Sequence, residues 1–310
     1  MTAAIEREQA LALEPMRPAT PEVGFLKGTR ASLLDIWNRR DLLLRLTRRE
    51  IRARYKDSVL GVVWSLIKPL VSLVIYVVVI GQVMGAARSI PDFAIYVFTG
   101  LTAWQLFSDI LSACTGAVVG NSGIIKKIQL PREIFPLASV GSSLFNFAMQ
   151  FAILLLATVL LPLLPTSLAT SPMVLDLRLA YLPLGLAILC VWGTAFGLIL
   201  SAANVYLRDI QYLVEVVLLV GMWASPIVYS WDMVLSVTQG NPIAEEIYLS
   251  NPVTLAILGF QRTMWTAGAG MSTATHLGIR MLLALVVGVV LLGVSQRVFS
   301  VLQRNFAQEL

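Results

Sequence analysis

Charge is scarce in this chain of 310 residues: 13% are Asp, Glu, Lys or Arg, against 57% hydrophobic. A soluble domain carries roughly a quarter charged residues, enough to coat its surface. With that coat thinned to 13% and a mean hydropathy of +0.78, much of the surface must face lipid. Cysteine is nearly absent. Cys114 and Cys190 each lie inside an apolar run without CxxC spacing, which argues against a disulfide framework or a cysteine metal site. The single histidine, His276, reads as a helix-edge residue. No Gly-Lys dipeptide occurs, so a GxxxxGK[ST] phosphate loop is excluded, and HExxH and GxSxG are missing too. Glu245-Glu246 is the one adjacent acidic pair, and neighbours in sequence do not face one another on a helix. Catalysis on this chain is therefore not expected, and any ATP must be bound by another chain.

What the sequence does have is long apolar runs. A membrane-spanning helix needs about 20 such residues. Six stretches qualify: Val59–Val83, Phe93–Val119, Pro136–Leu161, Leu179–Ala203, Tyr212–Tyr229 and Leu277–Phe299. Lys68-Pro69 lies within the first, so its lipid span is expected to begin near Pro69. The net charge is +5, but the basic residues lie between apolar runs and are not interleaved with stacking aromatics, which excludes nucleic acid as a partner. Their distribution sets the orientation. With both termini and the second and fourth loops cytoplasmic, 19 of the 23 Lys and Arg residues lie on that side and 4, Arg88, Arg178, Arg262 and Arg280, on the other.

Residues 1–31 hold eight charged residues and three prolines without an apolar core. They read as a flexible cytoplasmic tail rather than a signal peptide. In 32–57, Leu33, Ile36, Trp37, Leu43, Leu44, Thr47, Ile51 and Tyr55 recur at three- and four-residue intervals, with arginines between them. That pattern predicts an amphipathic helix lying on an anionic leaflet. A six-span domain then covers 58–300, and 301–310 is a cytoplasmic C-terminal tail. Between spans five and six, Asn241-Pro242 and Asn251-Pro252 read as helix starts with proline in the first turn. They predict two short helices dipping into the outer leaflet, a form allowed where free backbone groups face protein or water.

Ionisable residues within the spans are Lys68, Asp109, Glu215 and Arg280, and such residues count as functional candidates. Asp109 and Glu215 lie towards the expected cytoplasmic ends and Arg280 at the outer edge, an arrangement that argues against a proton relay. Gly193, Gly197 and Ser201 form a small-residue face for close helix packing. Aromatics fall in or at the ends of three spans. Trp64, Tyr229 and Trp231 suit interfacial belts, whereas Tyr76, Trp104 and Trp223 lie deeper, where either a glycan path or ordinary packing accounts for them.

The segment from Arg49 to Trp64 (REIRARYKDSVLGVVW), Pro69-Leu70, Ile128–Leu137 (IQLPREIFPL), Tyr206–Ile210 (YLRDI), Ser225–Ser230 (SPIVYS) and Asn251-Pro252 occur in that order. This ordered set resembles permeases of the ABC-type polysaccharide and polyol-phosphate export family, which move O-antigen, capsule, teichoic acid and galactan precursors. The resemblance implies an all-α integral membrane protein of six transmembrane helices, working as a homodimer above two copies of a P-loop ATPase subunit. No cofactor is implied on this chain; ATP and Mg belong to the partner ATPase. It further implies that Ile124–Glu133 is a cytoplasmic coupling helix, with Lys126, Lys127, Ile128, Leu130, Pro131, Arg132 and Glu133 as its contact residues. The basic helix ending at Tyr55 resembles the family's interface helix, with Arg49, Arg52, Arg54, Tyr55 and Lys56 at a lipid gate. The two short helices after Trp231 resemble its outer-leaflet gate helices. Channel-lining candidates are Tyr76, Tyr96, Trp104, Phe107, Trp223 and Tyr229.

The function so implied is export of a lipid-linked polysaccharide, galactan or O-antigen-like, across a bacterial cytoplasmic membrane. Lys68 and the long N-terminal tail depart from the family pattern. The alternatives are an ABC permease for a drug or small lipid, a proton-coupled secondary transporter using Asp109 and Glu215, and a membrane-embedded glycosyl- or acyltransferase.

Overall fold

The computed structural model describes residues 34–56, 63–126, 130–160, 176–239 and 241–310, and leaves out the side chains of Ser65, Leu66, Lys68 and Ala307. The expected N-terminal tail, Lys127, Ile128 and the side chain of Lys68 lie outside the described residues. The described residues are mostly helical, with no strand among them. In chain order the principal helices are α1 (Arg40–Tyr55), α2 (Val63–Ile75, continuing as a π-helix over Tyr76–Val83), α3 (Phe93–Gly120), α4 (Ile134–Leu160) and α5 (Tyr181–Tyr206). After them come α6 (Ile210–Trp223), α7 (Trp231–Thr238), α8 (Pro242–Leu249), α9 (Pro252–Met264) and α10 (Leu277–Leu302).

Among the described residues four helices are long and apolar enough to cross a membrane: α3, α4, α5 with its lead-in from Leu177, and α10 with its extension to Asn305. Pro69–Val83 of α2 and all of α6 are apolar but shorter. The helix expected over Tyr212–Tyr229 stops at Trp223, because the residue before a proline is disfavoured in the α conformation and Ser225-Pro226 follows at once. The turn is then fixed from two sides. The Tyr96 hydroxyl lies 2.6 Å from the Tyr229 carbonyl and 3.1 Å from that of Pro226, and Gln261 Nε2 donates to Pro226 at 2.7 Å.

The core is the contact of α3 with α5, with α9 wedged beside both. A Cβ on Gly197 would lie 2.6 Å from Cys114 Cβ, and one on Gly193 would lie 2.9 Å from Ile110. The small-residue face is thus what lets these two helices approach. Both asparagine-proline pairs do begin helices: Asn241 accepts from the Ile243 N–H and Asn251 from the Val253 N–H, each at 3.0 Å. Two features differ from expectation. A third helix, α7, precedes them, and α9 is buried almost along its whole length against α3 and α5. Its apolar residues all round, Leu255, Ile257, Leu258 and Phe260 among them, mark a helix surrounded by protein. The C-terminal segment is docked and not a free tail. Phe306 is fully buried, with its ring 5.5 Å from Phe299 and 6.1 Å from Tyr206.

Candidate functional site

Three groups of candidate residues take distinct places. The first is the segment leading into α4. Lys126 is exposed and Leu130 and Pro131 are half-buried, whereas Glu133 is only 2% exposed. Its carboxylate accepts from Ser300 Oγ at 2.7 Å, from Gln296 Nε2 at 3.2 Å and from Gln303 Nε2 at 3.5 Å. Arg132 donates to the Gln303 carbonyl, and its guanidinium lies 5.6 Å from the Phe306 ring centroid. Arg132 and Glu133, expected to offer charges to a partner, are instead turned onto the end of α10. A buried carboxylate is stable only with such donors around it. Gln296, Ser300 and Gln303 were not among the residues the sequence singles out. The signal for them is a polar pair at i and i+4 in an otherwise apolar helix.

The second group lies on α1, which is seated along the first half of α4. Thr47 Oγ1 is 3.4 Å from the Ala138 carbonyl, Ser139 Oγ donates to Glu50 at 3.2 Å, and Tyr55 donates to Asn146 at 2.7 Å. The contacts advance together along both helices, so α1 leans up α4 rather than touching it at one point. Its buried residue is Leu46, absent from the expected stripe, while Trp37 and Leu44 of that stripe are exposed. Burial pushes the Glu50 carboxyl above the usual carboxylate range, against the opposing pull of Ser139, Arg49 and Arg54. Arg52, Arg54 and Lys56 are exposed, and Arg49 donates to Asn121 just past the end of α3.

The third group is aromatic. Tyr96, Trp104 and Phe107 are buried, at 1%, 7% and 7% exposure, so their surface is taken up by packing within the chain. Trp104 fills the space over Gly221, and Tyr96 stacks edge-on against Trp265 at 4.7 Å. Tyr76 meets Trp223 edge-on at 6.5 Å, which joins the π segment of α2 to the end of α6. Trp223 itself is half exposed. Tyr229 donates to the Trp223 carbonyl at 3.1 Å and receives the Tyr248 hydroxyl at 3.2 Å.

Of the acidic candidates, Asp109 lies just past the midpoint of α3 and accepts from Gln105 at 2.7 Å. Glu215 is exposed on α6. No group of three or more His, Cys, Asp or Glu with metal-binding spacing occurs among the described residues. The free thiol of Cys114 faces the Pro136 carbonyl at 3.3 Å, inside the core.

O-antigen export system permease protein RfbA of Myxococcus xanthus is 27% identical to this chain over 228 residues, covering 73% of the chain and 81% of that protein. A protein of the same name from Klebsiella pneumoniae is 28% identical over 198 residues, 63% of the chain and 71% of that protein. Polysialic acid transport protein KpsM of Escherichia coli is 35% identical over a shorter stretch of 78 residues, 24% of the chain and 30% of that protein. The family described as ABC-2 type transporter matches residues 41–265. That range runs from the first turn of α1 to the end of α9, taking in the α3–α5 core and the 130–133 segment, and the chain belongs to the ABC-2 type transporter family.

Proposed function

We propose that this chain is the membrane-spanning subunit of an ATP-driven exporter that moves a lipid-linked polysaccharide, O-antigen-like or galactan, across the bacterial cytoplasmic membrane. The observation that carries this reading is the kinship with O-antigen export permeases over 73% of the chain. Two copies of the chain pair with two copies of a P-loop ATPase subunit, which bind ATP and Mg. Six spans, α2 to α6 and α10, place both termini in the cytoplasm, an orientation supported by the uneven spread of Lys and Arg.

The second copy covers the apolar faces that α2 and α6 leave open, where Val74, Val78, Val79, Leu213, Val216 and Val220 are all exposed. Tyr76, Trp223 and Tyr229, on the same side, line the glycan path. Tyr96, Trp104 and Phe107 brace that wall from behind. Arg49, Arg52, Arg54, Tyr55 and Lys56 form the gate where the lipid head group enters. Lys126, Lys127, Ile128, Leu130 and Pro131 meet the ATPase, and Arg132 and Glu133 pass the movement to α10. The helices after Trp231 gate the outer leaflet.

The test is to co-express the chain with a P-loop ATPase subunit from the same genome, purify the complex and follow ATP hydrolysis with and without lipid-linked glycan. A two-plus-two complex stimulated by the glycan is the expected outcome. Failure to co-purify with an ATPase would sink the proposal and turn attention to Asp109 and Glu215 as proton-carrying groups.

A further inference from the structure

At the end of the bundle where α3, α5 and α10 begin and α9 ends, an open cleft lies between Trp231, Trp265 and the loop over 268–274. It runs into a second hollow, with which it shares Arg262, Thr273, Ala274 and Leu277 and which adds Tyr181 and His276. Two arginines line the cleft, Arg178 from the turn before α5 and Arg262 from the last turn of α9.

Their electrostatics are unusual for arginines on one chain. Arg262 is half-buried, and among the described residues its guanidinium has neither an ion pair nor a hydrogen bond. Burial first, and then the neighbouring charge of Arg178, hold it below the ordinary arginine pKa. Like charges placed together against a partly dry wall repel until an anion joins them. Arg178 has only a 3.5 Å contact with Asp176, itself outside the cleft, and Asp232 is the one carboxylate among the lining residues described. Within the lining two arginines face one carboxylate, and Arg262 is the guanidinium left without an ion pair. Guanidinium groups match carboxylate and phosphate oxygens two at a time.

The rest of the wall has a different chemistry. Trp265 is partly open, anchored by its Nε1 donating to the Pro91 carbonyl at 2.6 Å. Ser272 and Thr273, both exposed, line the same cleft. A partly open, anchored indole beside hydroxyl groups suits the apolar face and hydroxyl rim of a sugar ring. A free inorganic anion would use the arginines alone and gain nothing from the tryptophan.

We propose that this cleft binds an oligosaccharide segment carrying a carboxylate or phosphate, with the anion between Arg178 and Arg262 and an adjacent ring laid on Trp265. That the glycan reaching it is the exported one rests on the function proposed above; the binding itself does not. In the proposed orientation the cleft faces outward, so it holds a chain that has already crossed.

The experiment is calorimetric titration of the purified full-length chain in lipid nanodiscs with tetragalacturonate, neutral maltotetraose and inorganic phosphate. Tetragalacturonate is expected to bind about tenfold or more tightly than either of the others, the scale of one charge-assisted hydrogen bond. Arg262→Gln and Arg178→Gln should each weaken it by about tenfold on the same grounds, and Trp265→Leu should weaken tetragalacturonate while leaving phosphate unchanged. Size-exclusion profiles and melting temperatures identify a variant that has misfolded, and Arg178→Gln, at a side chain 40% exposed, guards against that loss. Phosphate binding as tight as tetragalacturonate, unchanged affinity in both arginine variants, or no binding of tetragalacturonate would each overturn the proposal. Tetragalacturonate binding without glycan-stimulated ATP hydrolysis in the co-purified complex would leave the cleft standing and remove the export reading; the reverse pattern would do the opposite.

Discussion

Helices α3 and α10 are both apolar and of membrane-crossing length, yet 78% of the most apolar stretch of α3 is buried against 17% in α10, and α3 is the less apolar of the two. In a water-soluble protein the order would be reversed. Here the polar groups have withdrawn inward. Thr99, Thr102 and Thr115 donate to carbonyls four residues back, each at 2.7 Å, and Gln105 bonds Asp109 within the same helix. The outward face of α10 carries Leu282, Leu283, Val286, Val287 and Val290. Where the solvent is hydrocarbon, an unsatisfied polar group is costly outside and tolerable inside among partners. High hydropathy therefore marks contact with lipid, and moderate hydropathy in a span marks contact with protein.

The strongest way to break this comparison is to put a charge on the outward face of α10. Val290, 64% exposed at the middle of the helix, is the place. An arginine at a helix centre opposes insertion by about 2.5–3.5 kcal/mol, so Val290→Arg should sharply reduce the carbonate-resistant membrane fraction. Normal accumulation of that variant would remove the lipid from the argument.

Next comes packing. Gly197→Leu drives a side chain into Cys114, and overpacking of this kind destabilises by about 1–3 kcal/mol. Gly293→Leu on α10 meets open space within 4 Å of its Cβ and should leave the melting temperature where it was. A similar fall in both would show that α10 has a protein neighbour on that face.

Smaller again is Glu133→Gln, which keeps the shape of the acceptor but not its charge. The loss should be about 1 kcal/mol, the difference between charged and neutral acceptors, read as a lower melting temperature and faster tryptic cutting at Arg304.

The smallest effects are in pH, and they differ in sign at the two ends of the bundle. Arg280 donates twice to Glu246, at 2.5 and 2.7 Å, and holds its carboxyl below the usual range. That contact is fully present above the ordinary carboxylate pKa and is lost as pH falls through the depressed one. Glu50 has the raised value, so its contribution is present below the ordinary pKa and is lost as pH rises through the raised one. Acidification should thus speed hydrogen exchange in 242–249, after correction for intrinsic rates, and slow it in 40–55. Movement of both regions in one direction would contradict the assignments, and Glu246→Gln should abolish the first response alone.

Much of this was legible in the chain. The long spans, the packing face at Gly193 and Gly197 and the two asparagine-proline starts are local signals, each set by a few neighbouring residues. What the sequence hid was pairing at a distance. An apolar 13-residue helix such as α9 looks the same in sequence whether it dips into lipid or is enclosed, and Thr254, Gln261 and Thr263, polar and buried, are the hints of enclosure. Glu133 reads as a surface charge because its donors lie more than 160 residues away. The stripe on α1 missed Leu46 because α4 covers a strip one residue round from the aromatic one, leaving Trp37 outside. The break after Trp223 was in plain view as Ser225-Pro226, and the length of the apolar run outweighed it.

The clasp of Arg132 and Glu133 on the end of α10 has a mechanical consequence. Two adjacent residues of one loop hold the side chains of Gln296 and Ser300 on α10 and the side chain and carbonyl of Gln303 just past its end, which Phe306 wedges in place. The loop cannot be pushed by the width of a hydrogen bond without dragging the helix along or tearing free of it. The pair behaves as a rigid linkage with a breaking point, and exposed Arg304, beside the clasp, is the natural place to attach a label that reports which of the two happens.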